Sequence, residues 1–162
     1  MLLPGAGGAA FYWHRVVPLL EKAGHEALAV ELPGDDTRKG LRAYAKLVIA
    51  AIGKRRNVTL VAQSMGAFTA ALVCARAPKS IGRLVFVNAM IPLPGETAGE
   101  FWDDTGSEKA RKSAARRGGY AVDFDLVTYF FHDVPGPLAR TLTSRERDEA
   151  AVALREPARF ER

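Results

Sequence analysis

Four short apolar runs alternate with three longer stretches of helical periodicity, and this alternation constrains the fold more than any other feature of the chain. The runs are Leu2-Leu3, Ala27 to Val30, Val58 to Ala62 and Leu84 to Val87. Continuous rather than alternating hydrophobicity predicts strands covered on both faces. Between them, Phe11–Ala23 sets Trp13, Val16, Val17 and Leu20 on one side of a helix, and Leu41–Ile52 does the same with Leu41, Tyr44, Val48 and Ile52. A third helix runs from about Met65 to Ala77 and stops before Pro78. Gly24, Gly53 and Gly82 fall at helix ends or at turns into the next strand. The order βαβαβαβ predicts an α/β fold, a mainly parallel sheet with flanking helices, whose ligands meet the C-terminal ends of the strands.

After Asn88 the pattern changes. Residues 89–98 form a Pro/Gly loop, and helical patterns follow at about 99–117, 123–132 and 144–154, with a breaker at Pro135-Gly136-Pro137. Residues 1–92 are therefore expected to form the core and residues 93–162 a helical cap laid over the strand ends.

Size and composition exclude several classes. A chain of 162 residues is expected to form one domain and is too short for a two-domain enzyme. With 48% apolar and 25% charged residues it is neither disordered nor fibrous. No wholly apolar stretch is longer than that of Leu47 to Ile52, which cannot span a membrane, and Pro4-Gly5 interrupts the N-terminus before a signal-peptide core develops. The expectation is a cytoplasmic protein with no membrane partner. Cys74, the single cysteine, excludes an intrachain disulfide and reads as a structural thiol. The net charge of +5 is scattered, and the one basic triplet, Lys54-Arg55-Arg56, stands where cations suit a helix C-terminus, so no nucleic-acid partner is expected.

The chemistry concentrates in Val58-Thr59-Leu60-Val61-Ala62-Gln63-Ser64-Met65-Gly66-Ala67-Phe68. A strand runs directly into Ser64 and a helix starts directly after it. Such a turn forces the serine into strained backbone geometry, requires small residues two positions away on each side, here Ala62 and Gly66, and lifts Oγ above the sheet. The Met65 N–H then points to where an oxyanion develops, reinforced by the helix dipole. The competing reading is a serine that merely caps the helix. A second element agrees with the first: Leu2-Leu3-Pro4-Gly5-Ala6-Gly7-Gly8 follows the first strand as a flexible turn able to present the Ala6 N–H as a second oxyanion donor.

On these residues, together with Trp13-His14-Arg15-Val16, Gly24-His25-Glu26, Glu31-Leu32-Pro33-Gly34, Asn88-Ala89-Met90-Ile91-Pro92 and Pro94-Gly95-Glu96-Thr97, the sequence resembles the α/β-hydrolase superfamily, specifically its small esterase branch related to plant methylesterases and hydroxynitrile lyases. Pro4 stands where many members carry His, and Ala62 where the usual elbow has Gly. The resemblance implies acyl transfer from a small-molecule ester through a Ser64 ester intermediate, with Ala6 and Met65 amides as the oxyanion hole, substrate contacts from Gly5, Gly7, His14, Met90 and His132, and no metal or organic cofactor. It also implies a triad in the order Ser, acid, His, with the last two on loops beyond the cap. The sequence ends at Arg162, before those loops, so the acid and the base are expected to be missing.

Of the chain's three histidines, His25 is expected on the sheet edge away from Ser64, and His14 beside the apolar stripe of the first helix. His132, next to Asp133, is the one that hangs over Ser64 if the cap folds across it. Asn88 stands where some relatives place a carboxylate. Loss of the base from a serine triad lowers kcat by about 10⁶, so the chain alone is expected to be nearly inert. Phe11, Trp13, Met90, Phe101, Trp102, Phe130 and Phe131 are candidates for an apolar pocket lining or, taken singly, for core packing.

Two other readings compete. Gly5-x-Gly7-x-x-Ala10 follows a strand, and Glu31 comes about twenty residues later, as in a dinucleotide-binding Rossmann domain. Alternatively, the protein keeps the pocket and binds a small ligand or a partner without catalysis. A sheet ending at its fourth strand also leaves an open edge through which self-association is expected.

Overall fold

Val58-Thr59-Leu60-Val61-Ala62-Gln63 is the central strand of a three-stranded parallel sheet. In the computed structural model, which describes residues 1–161, the strands are β1 (Leu2–Leu3), β2 (Val58–Gln63) and β3 (Ile81–Val87), in the order β1-β2-β3. Leu3 pairs with Ala62, and Gln63 with Val87, so the C-terminal ends of all three strands rise to one edge. Leu2, Leu3, Leu60 and Ala62 are buried, as expected of continuous apolar strands, but the run Leu84 to Val87 is not covered on both faces: Leu84 and Val85 are half-buried and Phe86 and Val87 exposed, because β3 lies at the edge of the sheet.

The expected strand at Ala27–Val30 is reduced to a single bridge, Leu2 to Ala29, flanked by bonds from Leu2 N–H to Leu28 O and from Val30 N–H to Leu2 O. Its neighbour β1 is two residues long and offers nothing further to pair with. Gly82, expected at a strand boundary, lies inside β3. Val58 and Thr59 pair with Ile81 and Arg83, which leaves Gly82 as the extra residue of a bulge, and a Cβ there would collide with the Asn57 side chain.

The helices are α1 (Val16–Lys22), α2 (Leu41–Ile52) and α3 (Gly66–Arg76), followed by α4 (Ala98–Asp104), α5 (Ser107–Gly118), α6 (Leu126–Phe130), α7 (Gly136–Thr143) and α8 (Ala151–Arg155). The second expected helix is α2 to the residue, with Leu41, Tyr44, Val48 and Ile52 all buried. Arg55 closes its end by donating to the carbonyls of Ala51 (3.2 Å) and Ile52 (3.4 Å). The first expected helix is broken into a 3-10 turn, Ala10–Trp13, and α1. Pro18 explains the break, because it has no N–H to donate to the His14 carbonyl and is tolerated only in a first turn. Of its expected stripe, Trp13 is buried and Val16 exposed.

The cap region departs further. The pattern at 99–117 is two helices separated by Gly106 in left-handed geometry (φ +61°). The expected breaker at Pro135-Gly136-Pro137 instead starts α7, since a proline in the first turn forfeits no hydrogen bond. The pattern at 144–154 is helical only over Ala151–Arg155. The main core joins β1 and β2 to α2 and α3 and also takes in Ala98, Ala153 and Ala158, so the C-terminal segment packs on the same core as the sheet.

Candidate active site

Between β2 and α3 the chain turns at Ser64, which has φ +49°. A left-handed conformation costs a residue other than glycine about 1–2 kcal/mol, so it persists only where surrounding bonds dictate it. Three do so here. The Ser64 N–H donates to Val87 O (3.2 Å), and the Ser64 carbonyl accepts from Met90 N–H (3.1 Å) and Ala67 N–H (3.2 Å). Asn88, one strand over, is also left-handed (φ +42°), so the chain leaves β3 sharply enough to return the Met90 amide to Ser64.

The small neighbours are required sterically. A Cβ at Gly66 would lie 2.5 Å from Pro4 O and 3.2 Å from Leu3 O, so any larger residue forces β1 away from the turn. Ala62 is fully buried. On the other side a Cβ at Gly5 would lie 3.0 Å from Ser64 Cβ and 2.6 Å from Gln63 Oε1, which brings the loop after β1 directly against the serine. Ser64 is half-buried, and its Oγ is neither enclosed nor hydrogen-bonded among the described residues.

That loop is a tight turn. Gly8 N–H donates to Gly5 O (3.1 Å), and Gly7 at φ +78° has the value a type II turn demands at its third position. The Gly5–Ala6 peptide is thus held by its carbonyl, and the Ala6 N–H, like that of Met65, donates to no acceptor among the described residues. Gly8 is tied in turn by Leu32 N–H to Gly8 O (2.9 Å), and both Gly34 and Arg147 press their backbones against Gly7.

Two residues of this site were not legible in the sequence. Glu149 accepts the Gly7 N–H on Oε2 (2.7 Å) and the Tyr44 hydroxyl on Oε1 (2.6 Å). Burial pushes the Glu149 carboxyl up, outweighing its two hydrogen bonds, and burial together with the carboxylate beside it pushes the Tyr44 phenol up. Tyr44 sits on the apolar face of α2 and reads as core. Glu149 reaches the loop from 142 residues away, a distance over which no local pattern carries a signal.

The remaining candidates divide. Met90 is buried and serves the turn through its backbone. His14 stacks on Phe11 (4.4 Å between centroids, 6° between planes), with Nδ1 2.7 Å from Phe11 O. His132, Asp133, His25 and Asn88 are exposed, and no imidazole is hydrogen-bonded to Ser64 among the described residues. Trp13 and Phe131 are buried, whereas Trp102 and Phe130 are exposed. Cys74 is half-buried, and burial pushes its thiol up.

Glu31 settles the dinucleotide alternative. Its carboxylate accepts the Ala10 N–H (2.7 Å) and pairs with Arg147 (2.5 Å), so it holds the end of the glycine loop and is not left to bind a ribose. The glycines themselves serve a turn closed by Gly8 N–H to Gly5 O and packed against Leu32, Gly34 and Arg147.

A strand runs into a left-handed serine, and a helix leaves it facing a glycine turn. The model of the alpha/beta hydrolase family matches residues 1–162, and the chain belongs to that family. It is 32% identical over 107 residues to polyneuridine aldehyde esterase of Rauvolfia serpentina, covering 60% of this chain and 40% of that protein. It is 35% identical over 102 residues to alpha-hydroxynitrile lyase of Arabidopsis thaliana, covering 57% and 40%. In structure it is similar to an extracellular alpha/beta-hydrolase from a Paenibacillus species, with TM-score 0.78 and 20% identity, covering 99% of this chain and 70% of that one. The chain spans about 40% of the length of the curated relatives it matches. No helix among the described residues is long and apolar enough to cross a membrane.

Proposed function

We propose that this chain carries the nucleophile and the oxyanion-binding loop of a serine esterase acting on a small-molecule ester. Ser64 Oγ attacks the ester carbonyl. As the Oγ–C bond forms, the carbonyl π electrons pass to oxygen, and the Ala6 and Met65 amides receive that oxyanion. Collapse of the intermediate breaks the C–O bond to the leaving group, whose alkoxide takes a proton from solvent to become the alcohol, and leaves an acyl-Ser64 ester, which water then cleaves to the carboxylic acid and free Ser64. Residues 93–162 serve in this reading as the cap, with His14, Met90 and His132 beside the substrate. We also assign the protein to the cytoplasm, in keeping with its lone half-buried thiol.

The observation that carries the proposal is the positive φ of Ser64, held by three backbone hydrogen bonds directly across from Gly5. The esterase names among the relatives support the substrate class. With no imidazole hydrogen-bonded to Ser64 Oγ among the described residues, the departing proton passes to solvent, and turnover by residues 1–162 is expected to match that of a Ser64→Ala control.

The test is phosphonylation by a fluorophosphonate, with the modified residue mapped by mass spectrometry. The expected result is selective modification of Ser64 over Ser80, Ser107, Ser113 and Ser144, accelerated by imidazole in the buffer as a substitute base. Absence of selectivity for Ser64 overturns the proposal and favours a ligand-binding protein without catalysis.

A further inference from the structure

Two carboxylates hold the loop that carries Ala6, and only one of them acts within the turn itself. Glu31 bonds Ala10 N–H, after the loop has closed. Glu149 bonds Gly7 N–H, which belongs to the central peptide of the Gly5–Gly8 turn. That peptide is the one whose rotation separates a type II turn from a type I turn, and the rotation takes residue Gly7 from positive to negative φ. Glycine resists the rotation very little, so the Gly7 side of the turn depends on outside contacts. The structure supplies them from one segment: Glu149 from the front, the Arg147 backbone against the Gly7 α-carbon, and Ala150 N–H bonded at 2.7 Å to the carbonyl of Gly34, which itself packs on Gly7. Tyr44 on α2 fixes the other Glu149 oxygen and so aims the carboxylate.

We propose that Glu149 is a positioning residue for the reaction: by holding the Gly7 side of the turn it preserves the Gly8 N–H to Gly5 O bond that fixes the Gly5–Ala6 peptide, and with it the Ala6 amide, with Tyr44 as the residue that aims it. The inference rests on the reading of Ser64 as nucleophile and adds to it a control point 142 residues from the turn. Neither residue touches substrate, and both act through Gly7.

The experiment is the rate of Ser64 phosphonylation in imidazole buffer, for the full chain and four variants, with amide hydrogen exchange at Gly7 as a second readout. Glu149→Ala is expected to slow Ser64 modification by about 10- to 100-fold, short of the roughly 10²–10³ that outright loss of one oxyanion donor costs, and to abolish exchange protection at Gly7. Glu149→Gln keeps an acceptor for that N–H and recovers most of the rate, which a merely destabilised fold would not show. Tyr44→Phe slows the reaction less, and the double variant Tyr44→Phe/Glu149→Ala falls no further than Glu149→Ala alone, because the two act in series. Glu156→Ala is the control. It removes the bonds from Glu156 to Arg42 that dock the same segment on α2 without touching the turn, and leaves the rate unchanged. If Ser64 is modified selectively in the wild type and Glu149→Ala matches it, the positioning role is overturned while the nucleophile stands. If Ser64 is not selectively modified in the wild type, the functional reading falls and the inference falls with it.

Discussion

Replacing Gly66 by alanine probes the joint on which the site depends. The added methyl would meet Pro4 O at 2.5 Å and Leu3 O at 3.2 Å, so β1 or α3 must give by roughly 1 Å to reach ordinary contact. Both contacts are backbone and cannot swing aside. Overpacking of this kind costs about 1–3 kcal/mol, while alanine in the first turn of a helix returns less than about 1 kcal/mol relative to glycine. The net loss is about 1–2 kcal/mol, which in a domain of this size lowers Tm by about 2–8 °C. β1 has only two residues and is the strand that yields. It carries Gly5 and Ala6 with it, so Ser64 phosphonylation slows along with the loss of stability. Thermal unfolding followed by circular dichroism gives the first quantity and adduct formation the second. Gly99→Ala is the matched control: it lies in α4 with its nearest neighbour, Leu154 O, at 3.6 Å, and should hold or raise Tm. A Gly66→Ala protein with unchanged Tm and unchanged modification rate would refute the claim that β1 and the serine turn are sterically locked.

Three further outcomes follow from the same geometry. Ser64→Gly should be more stable than Ser64→Ala by about 1 kcal/mol, since glycine relieves the left-handed strain at φ +49° and alanine retains it; equal Tm values contradict this. Burial holds the Glu149 carboxyl above its ordinary 4.5, so the folded state keeps that proton more tightly than the unfolded one, and the associated stability is full below 4.5 and declines as pH rises through the raised value. The Tm of the wild type should accordingly fall relative to that of Glu149→Gln as pH increases from 4.5, and a pH-independent difference would count against it. Among the described residues no strand pairs with the outer edge of β3, which is flanked by a groove of about 350 Å³ lined by Cys74, Leu84, Phe86, Ile91 and Phe160, with Phe86 41% exposed. Light scattering should therefore show concentration-dependent self-association that Phe86→Lys suppresses, and a monomer at all concentrations would argue otherwise.

The parts of the site that were legible in the sequence are those encoded within a few residues of one another. Ala62, Ser64 and Gly66 announce a strained strand-to-helix turn because its steric demands fall two positions either side of the serine, and the turn is present at φ +49°. The apolar face of α2 is legible for the same reason, as a helical period over one continuous stretch. What escaped detection depends on partners distant in sequence. Ala27–Val30 has the composition of a strand, but its extent is set by a neighbour only two residues long, so it is reduced to one bridge. The helical pattern at 144–154 is real as a pattern, yet residues 144–145 are a turn closing α7 and residues 146–150 are irregular, with Glu149 and Ala150 bonded to Gly7 and Gly34. Prolines misled in both directions: Pro18 divides the first helix, and Pro137, read as a breaker, sits in the first turn of α7.

A crystal structure of the Ser64 phosphonyl adduct would show directly which groups receive the phosphonyl oxygen. That oxygen should accept from both Ala6 N–H and Met65 N–H at about 2.7–3.1 Å, with Gly7 still bonded to Glu149. An adduct whose oxygen points to solvent, or in which the Ala6 amide faces away from it, would contradict the assignment of this turn as an oxyanion hole.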